Sequence, residues 1–346
     1  MQRQLFGKTG LRIPPVVFGS TSLGNLFAEV PDEAKQQVVA EWFRRVEAPV
    51  FIDSAGKYGA GMSLEIIGRE LARLNIDPAD VVISNKLAWT RQPLVGDEPT
   101  FEPGAWFGLT HDARQEISYE GILRCYHQGN ELLGDYQAGL VSVHDPDEYL
   151  AAATDSADHK QRWHDIEEAY RALGELRSEG KVLGVGVGAK EWTSIRDVCD
   201  RVDLDWVMLA NSLTIMKHPP ELLAFIEQLD EAGVGILNAA VFNAGFALGG
   251  KFYDYRVVTG ESAEDRELLD WRQRFQTACQ RFDVAPAAAC LEFARSVPGI
   301  QAVAISSSSP HNIARTVAAV DGAAPPSFWS HLKEMHVIDP SFPFLG

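Results

Sequence analysis

Four polar residues follow short apolar segments and together have the chemistry of a proton-transfer site. They are Asp53 at the end of FID, Tyr58 in the turn AGKYGAG, Lys86 at the end of VVISNK and His144 at the end of LVSVH. A tyrosine with a pKa near ~10 needs a neighbouring cation to act as a general acid or base near neutrality. Lys86 can supply that charge, Asp53 can hold its ammonium group, and His144 can hydrogen-bond the reacting oxygen. If the proton transfer accompanies an oxidation or a reduction, the hydride must come from a cofactor, because no side chain can supply it.

The elements that would bring these residues together are short β-rich segments, of which we count eight. They occur at 16–20, 50–55, 81–86, 139–145, 182–188, 206–211, 234–240 and 301–306. Segments with helical periodicity lie between them, including 31–46, 63–74, 117–134 and 162–180. Apolar strands that alternate with amphipathic helices indicate a parallel sheet covered by helices, and eight such units predict an α/β fold, a closed (β/α)8 TIM barrel. The C-terminal ends of its strands line the active site, where the four residues would meet.

Three further segments complete the predicted architecture. Residues 3–14, with a turn at Gly7 to Gly10, form an N-terminal β-hairpin that caps the bottom of the barrel. The uncharged segment 232–250 holds several glycines and two asparagines, which favours a buried strand and a loop over a membrane span. A charged amphipathic helix over 262–284 packs on the barrel. No linker divides the chain, which predicts one domain over 1–346.

The composition argues against several classes of function. With 31 basic and 48 acidic residues, the formal net charge is −17, which repels nucleic acids and anionic membranes. The four cysteines form no CxxC pair and the histidines show no HExxH spacing, so we expect neither a disulfide framework nor a metal. The cysteine usage and the absence of an apolar N-terminal stretch predict a cytoplasmic protein. We expect a small-molecule substrate as its partner, and a homo-oligomer stays open.

The segment around Asp53 and Tyr58 resembles a family motif. FIDSAGKYGAGMSLEIIGREL (51–71) is similar to the Asp-Thr-Ala, Tyr-Gly, Glu and Gly pattern of aldo-keto reductases, and the likeness covers nearly the whole chain. Within that family, SYEGILRC (118–125) and HDPDE (144–148) resemble the aldose 1-dehydrogenase branch, which includes L-fucose and D-threo-aldose dehydrogenases, with pyridoxal and L-galactose dehydrogenases nearby. The resemblance implies that Tyr58 is the general acid/base, that Lys86 and Asp53 tune it, and that His144 orients the substrate oxygen.

The resemblance also implies a nicotinamide cofactor, although the usual carboxamide contacts differ. Family members carry Ser-Asn after the fifth barrel strand, Gln on the sixth and an aromatic residue on the seventh. This chain has Gly188-Ala189, Met208 and Ala239 at those positions. Asn211 and Asn238, which lie near strand ends, are the substitute candidates.

The segment ISSSSPHNIARTV (305–317) aligns with the family's site for the 2′-phosphate of NADP. Ser306 stands at the usual Lys position and Asn312 at the usual Arg position, while Arg315 lies nearby. The absence of these two cations weakens binding of the 2′-phosphate, so we expect a preference for NAD over NADP, or at most the use of both. Arg315 is the one residue that could restore NADP binding. The serines ahead of the helix offer hydroxyl and N–H groups to a phosphate, or they simply cap the helix. These candidate cofactor residues are Ser306, Ser307, Ser308, Asn312 and Arg315.

Two other patterns bear on the site. LGVGVGAK (183–190) lacks the spacing of a Rossmann motif, and its glycines are expected to allow a cofactor or a neighbouring strand to approach closely. The long loop 87–116 contains Trp89, Trp106 and Phe107, which favours a substrate lid, with packing onto the barrel rim as the alternative. Residues 145–162 are a second candidate wall.

The leading hypothesis is an NAD(P)-dependent aldose 1-dehydrogenase that converts a sugar to its lactone. The same residues working in reverse give a carbonyl reductase or a pyridoxal-type alcohol/aldehyde oxidoreductase. A nicotinamide-binding subunit that senses redox state is the third hypothesis. The tetrad of Asp53, Tyr58, Lys86 and His144 argues against this third hypothesis, because binding alone does not require it.

Overall fold

The computed structural model describes all 346 residues. Eight parallel strands follow one another around a closed barrel in chain order, and the last pairs with the first. We label these barrel strands β1 (Val16–Gly19), β2 (Val50–Ala55), β3 (Val81–Leu87), β4 (Ala138–His144), β5 (Gly184–Ala189), β6 (Trp206–Ala210), β7 (Gly235–Ala239) and β8 (Ile300–Ile305). The TIM barrel and all eight predicted strands are therefore confirmed.

Eleven α-helices connect and cover the strands. They are α1 (Asp32–Arg45), α2 (Met62–Arg73), α3 (Tyr119–Leu133), α4 (Pro146–Ala151), α5 (Ser156–Ser178), α6 (Trp192–Cys199), α7 (Pro220–Glu231), α8 (Ala263–Phe282), α9 (Pro286–Ser296), α10 (Pro310–Ala319) and α11 (Pro326–Glu334). Short 3₁₀ helices occupy Thr21–Gly24, Pro78–Asp80 and Phe246–Leu248. Side-chain caps fix several starts: Ser118 accepts from the Gly121 N–H ahead of α3, and Asp155 accepts from two N–H groups of α5.

Two apolar cores hold the barrel together. The larger contains 73 buried residues between the strands and the helices. The smaller fills the interior of the barrel, and its ten members are Phe6, Ile13, Val17, Phe51, Leu140, Trp206, Met208, Leu237, Ala239 and Ala302. Met208 and Ala239, at the positions that we aligned with the family's nicotinamide contacts, thus belong to this apolar interior.

The predicted N-terminal hairpin is present and closes the bottom of the barrel. Strand Gln4–Leu5 pairs antiparallel with Arg12–Ile13. Between them, the ring of Phe6 lies 5.9 Å from that of Trp206, measured between centroids. Gly7 has φ of +51°, and a Cβ there would lie 2.1 Å from the carbonyl oxygen of Asp205. Only glycine fits this close approach of the hairpin to the barrel.

The segment 87–116 is not the irregular loop that the sequence predicted. Strand Trp89–Pro93 pairs antiparallel with His111–Gln115, so a β-hairpin rises from the end of β3 and only its connection is irregular. The predicted wall 145–162 contains α4 and the first part of α5. The uncharged segment 232–250 is strand β7 followed by turns, as predicted. None of the helices combines the length and the apolar character that a membrane crossing requires.

The glycines of β5 make room for side chains of the neighbouring strands. A Cβ on Gly186 would lie 2.5 Å from the ring of Trp206. A Cβ on Gly188 would lie 3.0 Å from Cδ of Lys86. The close approach expected at this strand is thus made by side chains inside the barrel.

Candidate active site

The barrel brings the four predicted catalytic residues to one place. Asp53 and Lys86 lie on the neighbouring strands β2 and β3, whose register pairs Ala55 with Lys86. His144 is the last residue of β4. Tyr58 lies in the tight turn after β2, where its N–H donates to the carbonyl of Ala55 at 3.1 Å. Parallel strands end at the same face of a barrel, so all four side chains meet at its mouth.

The distances describe a connected group. Lys86 Nζ donates to Asp53 Oδ2 at 2.5 Å and to the carbonyl of Ser54 at 3.1 Å. The same ammonium lies 4.7 Å from the centre of the Tyr58 ring. The rings of Tyr58 and His144 meet edge to face, with centroids 5.6 Å apart. Lys86 therefore has a fixed carboxylate partner on one side and the phenol on the other.

The surroundings set the protonation states of this group. Burial raises the pKa of Tyr58 well above its usual value, and the Asp53 carboxylate raises it further. Burial lowers the pKa of His144 well below its usual value, with further lowering by Lys86 and Lys57. Burial also raises the pKa of Asp53, although Lys86 opposes this change. At neutral pH, Tyr58 is protonated and His144 is uncharged.

A cavity of about 410 Å³ lies at this end of the barrel. Most of its lining residues are charged or carry an amide, and they come from several different loops. They include Glu102, Lys190, Asn211, Lys217, Asp254 and Tyr255. A wall of this kind offers hydrogen-bond donors and acceptors on several sides, which suits a ligand rich in polar groups.

The two asparagines proposed for the nicotinamide differ in their surroundings. Asn211 directly follows β6, lines the cavity, and has a buried Oδ1 with no hydrogen-bond partner. Asn238 instead donates its amide to the carbonyls of Leu213 and Ala294 at 3.0 and 3.2 Å. Side chains alternate along a strand, and Leu237 and Ala239 face the barrel interior, so Asn238 faces the helices. Asn238 is corrected to a structural residue, and Asn211 keeps its candidate role.

The serine segment joins the end of β8 to the start of α10. The hydroxyl of Ser306 lies 3.0 Å from that of Thr21, beside β1. Ser309 caps the helix, since its hydroxyl accepts from the N–H of Asn312 at 3.3 Å. The capping role thus falls to Ser309. Ser306, Ser308, Asn312 and Arg315 are exposed and Ser307 is half-buried, so these residues are open to a ligand at the helix start.

The three aromatic residues of the expected lid have different surroundings. The ring of Trp106 lies 5.8 Å from that of Tyr58, and its indole donates to Glu102 at 2.7 Å. Trp89 packs against Phe101, with ring centroids 5.8 Å apart. Phe107 is 42% exposed. Of the three, Trp106 lies directly against the tetrad.

A group of charged residues beside the tetrad was not identified from the sequence. Lys57, next to Tyr58 in the chain, is buried among Glu102, Asp145 and Glu148. Glu148 also pairs with Lys190 at the cavity wall. One signal was available, because Asp145 and Lys190 directly follow β4 and β5, at the strand ends where a barrel of this kind carries its active-site residues.

Known proteins resemble this chain over almost its whole length. It is 26% identical to pyridoxal 4-dehydrogenase of Microbacterium luteolum over 352 residues, which cover 97% of this chain and 98% of that protein. It is 27% identical to D-threo-aldose 1-dehydrogenase of a Pseudomonas species over 338 residues, covering 95% and 96%.

Solved structures share the fold at lower identity. An aldo-keto reductase from Bacillus halodurans in its holo form superposes with a TM-score of 0.70 at 16% identity, covering 99% of this chain and 97% of that one. A glycerol dehydrogenase from Gluconobacter oxydans gives the same TM-score and identity, covering 99% and 98%. The sequence profile of the Aldo/keto reductase family matches residues 15–336. The chain therefore belongs to the aldo/keto reductase family, whose enzymes are NAD(P)-dependent oxidoreductases of small molecules.

Proposed function

We propose that the protein oxidises the anomeric carbon of an aldose to a lactone, with NAD(P)⁺ as hydride acceptor and Tyr58 as general acid/base. The observation that carries this proposal is that Tyr58 packs against Trp106, whose indole donates to Glu102 in the wall of a cavity lined by charged and amide side chains. Such a wall can hydrogen-bond the several hydroxyl groups of a sugar. The similarity to D-threo-aldose 1-dehydrogenase over 95% of this chain supports the same substrate class.

The residues present fit a nicotinamide cofactor. The unpartnered Oδ1 of Asn211 at the cavity wall is free to accept a hydrogen bond from a carboxamide. At the start of α10, Ser306, Ser307 and Ser308 would face the adenosine end of the cofactor, with Asn312 and Arg315 beside the place of a 2′-phosphate. The chemistry that a bound nicotinamide supplies is the acceptance of a hydride, which no side chain can provide.

The chain's own residues handle the proton. In oxidation, Tyr58 first releases its own proton to solvent and then accepts the proton of the anomeric hydroxyl. The Lys86 ammonium, 4.7 Å from the ring centre, stabilises the resulting phenolate, and Asp53 keeps it in place. The uncharged His144 has a buried Nδ1 without a partner, and its ring, which meets Tyr58 edge to face, would orient the substrate oxygen.

The second candidate function is the reverse reaction, as a carbonyl reductase or a pyridoxal-type oxidoreductase. Two observations favour it. Tyr58 has a raised pKa, so near neutrality it holds the proton that reduction of a carbonyl consumes. The similarity to pyridoxal 4-dehydrogenase covers 97% of this chain. The Trp106 ring beside Tyr58 offers an aromatic surface for such a substrate.

A substrate screen separates these candidates. The purified protein is incubated with aldoses, pyridoxal and simple aldehydes together with NAD⁺, NADP⁺, NADH or NADPH, and nicotinamide absorbance is followed. We expect reduction of NAD⁺ by an aldose, with the lactone as product. Turnover with carbonyl substrates and a reduced nicotinamide alone would favour the second candidate. Cofactor binding without any turnover would favour the redox-sensing subunit.

The change Tyr58→Phe tests the role of the phenol. We expect a loss of turnover of about 10²-fold or more, because proton transfer is removed, while cofactor binding is retained. Rates are measured at steady state and cofactor affinity by calorimetric titration. The matched control is Tyr119→Phe, whose hydroxyl only donates to Glu175 at the surface. A Tyr58→Phe protein with the rate of the control would show that another group transfers the proton.

A further inference from the structure

Lys57 is a buried cation that the proposed chemistry does not use. Its side chain is only 2% exposed, and its Nζ lies 2.6 Å from Glu102 Oε1, 2.8 Å from Glu148 Oε2 and 3.2 Å from Asp145 Oδ2. Burial alone would lower the pKa of a lysine, but the three carboxylates outweigh burial and raise the pKa of Lys57 above its usual value. The ammonium is therefore charged and fully surrounded.

The three carboxylates come from two separate segments of the chain. Glu102 lies in the connection 94–110 of the β-hairpin above β3. Its second oxygen accepts from the indole of Trp106 at 2.7 Å, and this indole packs on Tyr58. The connection thus reaches the tetrad through Glu102 and Trp106.

The other two carboxylates belong to the segment that leaves β4. Asp145 directly follows His144, and its Oδ2 lies 3.4 Å from His144 Nε2. Glu148, in α4, also pairs with Lys190 at the wall of the cavity. Lys57 itself directly precedes Tyr58. The ammonium group of Lys57 therefore joins the turn of Tyr58 to two other segments, one carrying Trp106 and the other carrying His144.

We propose that Lys57 is a positioning residue that ties the Trp106 segment and the His144 segment to the turn carrying Tyr58. The tie gives the substrate cavity one fixed shape. Without it, three carboxylates would face one another in a buried place and repel. Glu102 would separate first, because Asp145 is buried and Glu148 keeps Lys190 as a second cation, whereas Glu102 is 23% exposed and has no other salt bridge. The connection 94–110 would then open and take Trp106 away from Tyr58.

Hydrogen exchange of the protein without added ligand tests the tie directly. In Lys57→Met and in Glu102→Gln, we expect peptides covering 100–107 to exchange about tenfold faster than in the wild type. Their reporters include the N–H of Phe107, which donates to Asn25, and the N–H of Ala105. The barrel strands should exchange at the wild-type rate. The matched control is Lys181→Met, which removes a half-exposed lysine paired with Glu179 and should change nothing near the site.

Kinetics supply a second measurement, which rests on the proposed function. With the best substrate of the screen, we expect Lys57→Met, whose side chain does not line the cavity, to raise KM about tenfold while kcat changes by less than about threefold. A lost tie weakens substrate placement and leaves the proton-transfer group intact. Lys57→Arg keeps the positive charge, so its KM should lie close to the wild-type value and well below that of Lys57→Met.

The results separate this inference from the proposed function. If Lys57→Met folds but exchanges at 100–107 like the wild type, the tie is refuted. Equal acceleration over the barrel strands would also refute it, because Lys57 would then only stabilise the fold. If Lys57→Met does not fold, Glu102→Gln decides by the same criteria. Faster exchange at 100–107 in a protein that oxidises no sugar would support the tie and refute the aldose proposal.

Discussion

His144 is a buried imidazole with charged groups on several sides. Lys86 on β3, Lys57 before Tyr58 and Lys190 after β5 all disfavour its protonation, and Glu148 favours it. Burial is the largest cause of its lowered pKa. The carboxylate of Asp145 also lies 3.4 Å from the ring. Removal of one lysine would therefore leave the carboxylates less opposed and make His144 easier to protonate.

This environment predicts how stability depends on pH. In the unfolded chain a histidine binds a proton near its usual pKa of about 6.5, whereas folded His144 resists protonation. The contribution of His144 is therefore fully present above that pH and is lost as the pH falls below it. We expect His144→Gln to lose less thermal stability than the wild type between pH 7 and pH 5, measured as Tm. The exposed His159→Gln is the control, and equal slopes for all three proteins would contradict the prediction.

The sequence located the tetrad but could not locate Lys57 as part of the site. Asp53, Lys86 and His144 end strands, and strand ends of a barrel must meet. Lys57 lies in a turn, where a lysine is usually solvated. Two of its partners, Asp145 and Glu148, are 88 and 91 positions away in the chain. Nothing local in the sequence indicates that these charges meet and are buried.

Among the secondary-structure elements, the start of α10 carries the prediction on cofactor choice. Ser306 and Asn312 are exposed, and they stand at the positions that we aligned with the cations of a 2′-phosphate site. We expect the wild type to prefer NAD and the double change Ser306→Lys and Asn312→Arg to bind NADP at least ~10-fold tighter, since each charge-assisted hydrogen bond contributes roughly 1.5–3 kcal/mol. Affinities for both nicotinamides are measured by titration, and NAD affinity should change little.

A control variant distinguishes a local effect at α10 from a general gain in NADP affinity caused by added positive charge on an acidic protein. Ser330→Lys adds a charge on α11 and should leave NADP affinity unchanged. Arg315→Ala should matter little for NAD. A wild type that binds NADP tenfold more tightly than NAD, about 1.4 kcal/mol, would contradict the alignment of this segment.

Predicting elements succeeded where the apolar pattern was strong and failed where it was weak. The barrel strands are short apolar segments, and all were found. Strands Trp89–Pro93 and His111–Gln115 are largely polar and lie 17 residues apart, so neither alternation nor a short turn indicates a hairpin. Asn238 was assigned to the site because it lies near a strand end. Its position between inward-facing Leu237 and Ala239 was the missed sign that it points outward.

At the scale of the molecule, the two ends of the barrel have different tasks. The hairpin and Phe6 close the bottom, and the proposed chemistry lies at the top. We expect residues 1–346 to unfold as one domain. Phe6→Ala should lower the free energy of unfolding by about 3–5 kcal/mol, because it empties a buried aromatic site. Urea unfolding measures this change.

The activity of the same variant tests the separation of the two ends. We expect Phe6→Ala to keep the wild-type KM and kcat at temperatures where it is folded. Leu5→Ala, at a position that is 57% exposed, is the matched control and should affect neither stability nor activity. A Phe6→Ala protein with a changed KM would show that the bottom of the barrel communicates with the site.

Gly188 has a consequence for engineering the enzyme. The space beside it is taken by the hydrocarbon stem of Lys86, 3.0 Å from where a Cβ would lie, while the ammonium is anchored to Asp53. A larger residue at 188 would press on the stem and shift the Lys86 ammonium without removing any ionisable group. The side-chain volume at this position of β5 therefore offers a graded adjustment of the distance between the Lys86 ammonium and the Tyr58 ring, without any change of charge.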